Sequence, residues 1–159
     1  MSPSTFSNNA LIELCLAEKR VIEVGRACIH KEYRSNVLLV LLWAALKNYC
    51  EQNKVSALFG VASIAKCSLE EVSALYYHFK NKNELIDNGE VFPLADLKIN
   101  LAPYDEKNYR KELRGSLLKG YVKMGAKLLG EPVFDKIFGC YDFFVYLDMN
   151  YVNWEYLKV

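Results

Sequence analysis

The spacing of apolar side chains predicts a strand, a long helix and a second strand in the first half of this chain. Residues 21–29 are rich in β-branched and other apolar side chains, which favours a strand. Asn36 is a candidate N-cap for a helix to about residue 53. Its wide apolar face comprises Leu39, Leu42, Trp43, Leu46 and Tyr49. Residues 57–64 are apolar throughout, as expected of a central strand, and such a strand–helix–strand unit joins parallel strands.

A second helix is predicted from Ser68, where Glu71 stands at the position that completes a capping box. This helix is expected to end near Phe79. Residues 81–109 are mostly polar and include two prolines, so we interpret them as a long loop. Loops of this length in compact domains are usually functional or mobile.

The last third of the chain predicts a helix followed by strand structure. Apolar side chains recur at helical spacing from Leu117 to Leu129, and Gly130 and Pro132 are expected to end the helix. Residues 141–147 are rich in Phe, Tyr and Val and predict a strand. We therefore expect a terminal helix and hairpin over residues 115–148.

Composition indicates one globular domain of 159 residues, with 52% hydrophobic and 25% charged side chains. The formal charge of +1 gives no reason to expect a nucleic-acid partner. The polar beginning of the chain shows no signal peptide, and the longest apolar run, residues 37–46, is about half of what spans a bilayer. We expect a cytoplasmic protein, with peripheral contact at the inner membrane face as a further option.

The cysteines and histidines do not predict a metal site. The five cysteines are odd in number and form no Cys-x-x-Cys pair, so neither a zinc site nor a disulfide framework is expected. His30 and His78 have no paired metal ligands and no Gly-x-Ser-x-Gly motif beside them, so both are interpreted as structural.

Three stretches carry a resemblance to a known family. They are residues 22–34 (IEVGRACIHKEYR), the Leu-Leu-Trp triplet at 41–43, and residues 117–132, in which Tyr121 precedes Gly125 by four positions. In this order they resemble GNAT-superfamily N-acyltransferases of the ornithine-lipid type, often labelled hemolysin-like. The Glu-x-Gly-Arg start is also similar to the Glu-x-Ser-Arg strand of autoinducer synthases. The resemblance covers about residues 20–150, with an inserted helix at 68–80.

The resemblance implies an α/β fold, a partial GNAT-like mixed sheet with flanking helices, in a single domain over residues 1–159. Its parts would be an N-terminal remnant (1–20), a strand–helix–strand acyl-donor unit (21–64), an inserted helix and long loop (65–114) and the terminal helix and hairpin (115–148). The family fold needs about three strands and two helices, roughly 65 residues, before the strand that carries Glu23. The chain therefore resembles the C-terminal part of such an enzyme.

The activity implied is transfer of a fatty acyl group from a phosphopantetheine thioester to an amine such as the α-amino group of ornithine. Glu23 would be the general base and Tyr121 the general acid that protonates the leaving thiolate. The alternatives from the residues alone are a buried ion pair between Glu23 and Arg26, and a core tyrosine on an amphipathic helix. Both alternatives stay open at this stage.

Acyl-donor binding is assigned to Gly25, Arg26, Cys28, Arg34, Ser35, Asn36 and Val37. Gly25 permits a β-bulge, which would free backbone N–H groups for an acyl carbonyl oxygen. Residues 34–38 contain no glycine that would let the backbone approach a pyrophosphate closely. Acyl carrier protein is therefore favoured over coenzyme A as the donor, and no metal is implied.

Lysines repeat every four residues at Lys119, Lys123 and Lys127, and residues 96–127 hold eight basic and four acidic side chains. This basic surface would dock an acidic carrier protein or anionic lipid headgroups, although such a row is more often a solvated helix face.

Two rival functions remain. The chain would be the non-catalytic half of a split enzyme or an inactive remnant, or else a coenzyme-A-dependent small-molecule N-acetyltransferase. A partial sheet would also expose a strand edge, which favours self-association or pairing with a complementing N-terminal half.

Overall fold

The computed structural model describes residues 20–25, 29–33, 36–86, 97–105, 107 and 117–157. They form five strands and three helices, with short 3₁₀ turns. The strands are β1 (Val21–Glu23), β2 (Ala57–Ala65), β3 (Leu85–Ile86), β4 (Lys127–Asp135) and β5 (Cys140–Asp148). The helices are α1 (Asn36–Gln52), α2 (Leu69–Asn81) and α3 (Leu117–Lys123).

The strands form one mixed sheet in the order β1-β2-β5-β4-β3. β1 lies parallel to β2, which pairs antiparallel with β5; β5 pairs antiparallel with β4, and β3 runs parallel to β4. The predicted α/β class with a mixed sheet is confirmed, as is the parallel pairing of the two strands that flank α1.

The two faces of the sheet are unequal. The larger core lies on one face, where Cys50 from α1, Leu75 from α2 and Leu118 from α3 pack against the strands. A smaller cluster of Leu129, Val133 and Phe144 marks the other face. We call these the first and second faces; the helices within the described residues lie on the first.

The prediction for α1 is confirmed in extent but not in its buried face. Asn36 is the first helical residue rather than a residue before the helix. Cys50 is buried and Trp43 and Leu46 pack against the core, whereas Leu42 and Tyr49 are exposed. The helix is apolar on more than one side and the sheet covers only one of them, so the predicted face was too wide.

The capping box at the start of α2 is confirmed. The Ser68 hydroxyl accepts a hydrogen bond from the backbone N–H of Glu71 at 3.3 Å, and the Glu71 carboxylate accepts one from the N–H of Ser68 at 2.8 Å. The helix ends at Asn81, two residues beyond the predicted end.

Two predicted boundaries were wrong. β1 ends at Glu23 rather than near residue 29, because its pairing with β2 ends there. The helix predicted to continue to residue 129 ends at Lys123, and β4 begins at Lys127. Leu128 packs in the core of the first face and Leu129 in the cluster of the second face, as consecutive residues of a strand do. In the sequence, these two leucines also fit the spacing of the preceding helix. The predicted strand at residues 141–147 is confirmed as β5.

Candidate active site

The candidate site lies where β1 and β2 separate. Their pairing ends at Glu23 and Phe59, and the N–H of Val24 then donates to the Phe59 carbonyl oxygen at 2.8 Å. β2 continues to Ala65 with β5 as its partner on the other side. Beyond Gly60, the described part of the chain supplies no strand to the β1 side of β2, so a cleft opens there.

An open pocket of about 280 Å³ occupies this cleft on the first face of the sheet. Its walls are mostly apolar and come from the two residues after β1, from α1, β2, α3 and β5, and from the residue before β4. The side chains and backbone that line it include Val24, Gly25, Trp43, Leu58, Gly60, Ser63, Leu118, Tyr121, Ala126, Val145 and Leu147. An apolar pocket beside a strand edge suits an extended ligand that has an amide backbone and an apolar end.

Tyr121 reaches the pocket from α3. Its ring packs edge-to-face on Trp43, with the ring centroids 5.6 Å apart. Burial raises the pKa of the phenol above its ordinary value of 10.0, so the hydroxyl remains protonated at neutral pH. Tyr121 thus holds a protonated hydroxyl in a mostly apolar pocket.

The Tyr-x-x-x-Gly spacing has a structural cause. The Tyr121 carbonyl accepts a hydrogen bond from the N–H of Ala126 at 2.9 Å, which closes the end of α3. Gly125 has φ +102° within this turn, and a Cβ there would lie 2.8 Å from the Tyr151 carbonyl oxygen. Glycine therefore lets the chain leave α3 immediately after Tyr121 and enter β4.

Glu23 is exposed at the end of β1 and is not brought together with Tyr121. Its neighbours Ile22 and Val24 pack on the larger core of the first face, whereas Val21 packs on the cluster of the second. Side chains alternate along a strand, so Glu23 projects from the second face. The two candidate proton-transfer groups therefore lie on opposite sides of the sheet beside the cleft.

The remaining donor-binding candidates are placed only in part. Gly25 lines the pocket. Val37 is exposed in the first turn of α1, and Asn36 is the first residue of that helix. Arg26, Cys28, Arg34 and Ser35 lie outside the described residues, so the alternative ion pair between Glu23 and Arg26 is not tested.

The three candidate docking lysines do not form one helical row, because the helix ends before Lys127. Lys119 and Lys123 are on α3, and the Lys123 ammonium lies 5.2 Å from the centre of the Tyr156 ring. Lys127 is on β4, where its ammonium donates to the Asn83 carbonyl oxygen at 3.0 Å. Lys127 therefore ties β4 to the turn after α2.

Sequence reasoning missed two features near the cleft. Gly60 lies where β1 and β2 are closest, and only its interruption of an apolar strand signalled it. Asp142 is buried on β5 opposite Ser63, and the Cys140 thiol lies 3.6 Å from its carboxylate. Burial raises the pKa of Asp142, although hydrogen bonds from Ser63 and Cys140 oppose the rise. An aspartate within a run of Phe, Tyr and Val was the available signal.

The described residues contain no group of three His, Cys, Asp or Glu side chains that could hold a metal ion. None of their helices is both long and apolar enough to cross a bilayer.

The mixed sheet and the cleft between two of its parallel strands are consistent with a partial GNAT-like fold. Residues 1–44 match the acetyltransferase (GNAT) domain family. No solved structure matches the chain.

Curated relatives extend this similarity to most of the chain. An L-ornithine N(alpha)-acyltransferase of Brucella abortus is 29% identical over 92% of this chain and 54% of its own length. The enzyme of the same name from Agrobacterium fabrum is 31% identical over 88% of this chain and 49% of its own length. The Rhodobacter capsulatus protein of that name is 27% identical over 87% of this chain and 54% of its own length. The resemblance inferred from the motifs is confirmed, and the chain spans about half the length of the curated relatives it matches.

Proposed function

We propose that this chain takes part in N-acyl transfer in lipid biosynthesis. A fatty acyl group would move from a phosphopantetheine thioester to an amine such as the α-amino group of ornithine. The observation that carries the proposal is Tyr121, a protonated phenol in an apolar pocket where two parallel strands separate. Similarity to relatives named L-ornithine N(alpha)-acyltransferase supports the choice of acceptor.

The donor arm would lie in the cleft as an added strand. Among the described residues no strand pairs with the β1-side edge of β2 beyond Gly60, and this edge would offer backbone donors and acceptors to the two amides of phosphopantetheine. Trp43, Leu58 and Val145 supply apolar walls for the acyl chain. The absence of glycine from residues 34–38 favours acyl carrier protein over coenzyme A as the carrier of this arm.

The reaction uses both sides of the sheet. The amine nitrogen attacks the thioester carbonyl carbon from the side of Glu23, which accepts the proton of the amine directly or through water. The C–N bond forms and the C–S bond breaks, and the Tyr121 phenol protonates the departing sulfur from the pocket. The tyrosinate then regains a proton from water. Gly25 and Arg26 would shape the acyl site beside the thioester.

Partners follow from the surface of the chain. Lys119 and Lys123 would dock an acidic carrier protein. The apolar side of α1 that remains exposed would contact a complementing N-terminal half or a second copy of the chain. We place this assembly in the cytoplasm, peripherally at the inner membrane face.

One observation favours a second candidate. Because α1 leaves apolar surface exposed, the chain would serve as a non-catalytic subunit that pairs with another chain. The coenzyme-A-dependent acetyltransferase is less well supported, since residues 34–38 lack glycine.

The test is acyl transfer by the purified chain, with ornithine as acceptor and labelled long-chain acyl carrier protein, long-chain acyl-CoA or acetyl-CoA as donor. Acyl-ornithine formed fastest from the carrier protein is the expected result. Faster turnover of acetyl-CoA would favour the acetyltransferase. Carrier binding without turnover would favour a non-catalytic role, and the absence of both binding and turnover would contradict the proposal.

A further inference from the structure

The turn between β4 and β5 presents two large apolar side chains to solvent. Ile137 is 81% exposed and Phe138 79% exposed, the highest values among the large apolar side chains that the structure describes. They are consecutive and stand at the tip of the hairpin. Single exposed apolar residues are common on protein surfaces, but two adjacent ones at a protruding tip form a contiguous apolar contact.

The turn holds these side chains outward through its own hydrogen bonds. One carboxylate oxygen of Asp135 accepts from the N–H of Ile137 at 2.7 Å and from that of Phe138 at 3.0 Å. The Asp135 carbonyl oxygen accepts from the N–H of Gly139 at 2.8 Å, and Gly139 adopts φ +62°. Below the turn, the rings of Phe134 and Tyr141 pack with centroids 4.9 Å apart. Such a preorganised tip loses little conformational entropy on binding.

The charged groups around the tip are evenly divided between cations and anions. Lys136 is exposed within the turn, and Lys66 is exposed just after β2, whose last residue pairs with Cys140 beside the turn. The carboxylate of Asp135 is engaged within the turn, and Asp142 is buried. Glu70 is the exposed carboxylate in this neighbourhood, where its pKa is lowered by a hydrogen bond with Ser68. Two lysines thus stand beside two carboxylates, Asp135 and Glu70, so charge does not distinguish an anionic from a neutral surface.

The size of the tip distinguishes between occupants. Ile137 and Phe138 together offer roughly 300 Å² of apolar surface, judged from the area that large side chains bury. A stable protein partner needs about 800 Å² on each side. A lipid interface has no such requirement, because it accepts a protruding apolar tip and surrounds it.

The tip lies at the end of the sheet toward which the cleft opens. β1 and β2 both run toward this end, and β2 reaches Cys140 five residues beyond Gly60. At about 3.3 Å per residue, the tip stands roughly 17 Å or slightly more from the start of the cleft. A fatty acyl product formed in the cleft would therefore emerge near whatever surface the tip contacts.

We propose that this turn docks the protein on a lipid bilayer, with Ile137 and Phe138 in the interfacial layer and Lys66 and Lys136 beside the headgroups. The inference rests on the proposed function for its purpose, delivery of an acylated product to the membrane. Binding to vesicles is independent of catalysis.

The test is sedimentation of the full chain with vesicles of phosphatidylglycerol and phosphatidylethanolamine. Replacing both side chains (I137S/F138S) should lower the fraction bound by at least about tenfold, because each contributes apolar transfer free energy. Tyr151→Ser is the matched control, since it removes a side chain that is 78% exposed beyond the opposite end of β5 and should bind as the parent does. In Phe138→Trp, the tryptophan fluorescence should shift to the blue when vesicles bind and should be quenched by brominated lipid. Both changes should exceed those of the parent, which has Trp43 and Trp154.

Parent-like sedimentation of I137S/F138S, or failure of the parent to bind vesicles, overturns the proposal. Loss of a homodimer in that variant, with vesicle binding unchanged, would assign the tip to a second copy instead. Circular dichroism checks that the variant folds, and Phe138→Ser alone is the milder test if it does not. Acyl transfer between soluble substrates in I137S/F138S should equal that of the parent, which separates failure of docking from failure of the proposed function.

Discussion

The carbonyl oxygen of Val24 occupies the space where a side chain at position 60 would begin. A Cβ built on Gly60 would lie well inside van der Waals contact with that oxygen. The last hydrogen bond between β1 and β2 also involves Val24, whose N–H donates to the Phe59 carbonyl oxygen at 2.8 Å. The two strands thus stay in contact up to this point and separate beyond it, and the pocket begins where they separate.

Gly60→Ala should therefore move β1 away from β2 and distort the mouth of the pocket. We expect a loss of thermal stability and of donor binding, measured by calorimetry and by titration with a phosphopantetheine-bearing carrier. Gly120→Ala is the control, because a Cβ there meets no atom within 4 Å and the residue lies in α3. Alanine in a helix is favoured over glycine by up to about 1 kcal/mol, so this variant should be as stable as the parent or slightly more stable. Equal stability of the two variants would contradict the close approach.

Tyr121→Phe and Glu23→Gln should each reduce turnover by about 10²- to 10⁴-fold, the usual contribution of a positioned acid or base. Neither change removes much volume, so the melting temperature should stay within a few degrees of the parent. The measurement is single-turnover acyl transfer, by the chain alone or with a complementing half. Tyr146→Phe is the matched control, since burial raises the pKa of Tyr146 as well but its side chain packs on the second face. Turnover within a few-fold of the parent in both site variants would indicate that Tyr121 and Glu23 have structural roles only.

Replacing Lys119 and Lys123 with alanine should weaken carrier-protein binding by about tenfold at low salt and flatten its salt dependence, as expected for exposed charges. Titration at two ionic strengths gives both quantities. Lys127→Ala should behave differently, because its ammonium donates to the Asn83 carbonyl and its loss should lower stability. The Lys66 and Lys136 pair serves as a charge-matched control at the other end of the sheet. Equal effects of the two pairs on carrier binding would show that net charge alone matters.

The exposed apolar side of α1 should cause the isolated chain to associate. Val37, Leu41, Leu42 and Tyr49 are all exposed on this helix. Light scattering should show dimers or larger species, and replacing Val37 and Leu41 with lysine should reduce their mass. Asn48→Lys adds charge to an exposed position of the same helix without removing apolar surface, so it should change the mass much less. A monodisperse parent monomer would contradict this expectation.

Asp142→Asn should stabilise the protein at neutral pH. Burial raises the folded-state pKa of Asp142 above its ordinary value of 3.8, so folding favours the protonated form. The parent should therefore lose stability as the pH rises from about 4 through the raised pKa, whereas the amide does not titrate there. Melting temperatures between about pH 4 and pH 7 should show a growing advantage for the variant.

Ser63→Ala provides the check on this assignment. A hydrogen bond from Ser63 lowers the pKa of Asp142, so its removal should enlarge the loss of stability with rising pH. A pH dependence that Asp142→Asn does not alter would locate the titrating group elsewhere.

Local sequence signals predicted those elements whose formation depends on neighbouring residues. The capping box of Ser68 and Glu71 begins α2 where expected, because both hydrogen bonds lie within four residues of chain. The largely apolar run of β2 identified a strand inside the sheet, and β2 does pair on both sides, with β1 and with β5. The resemblance placed Tyr121 among the candidate site residues, and the structure places its ring in the pocket.

Tertiary contacts decided the features that local signals left open. The helix of Tyr121 stops at Lys123 because Gly125 must pass against the Tyr151 carbonyl, an atom 26 residues away along the chain. Leu128 and Leu129 fit both the spacing of a helix and that of a strand. Their packing on opposite faces of the sheet identifies them as strand residues. The cleft depends on the fit of Gly60 against Val24, and the position of Glu23 on the opposite face depends on strand register. Hydrogen bonds between near neighbours can be predicted from the local sequence. The register of distant strands, and how closely they approach each other, are fixed only when the whole core packs.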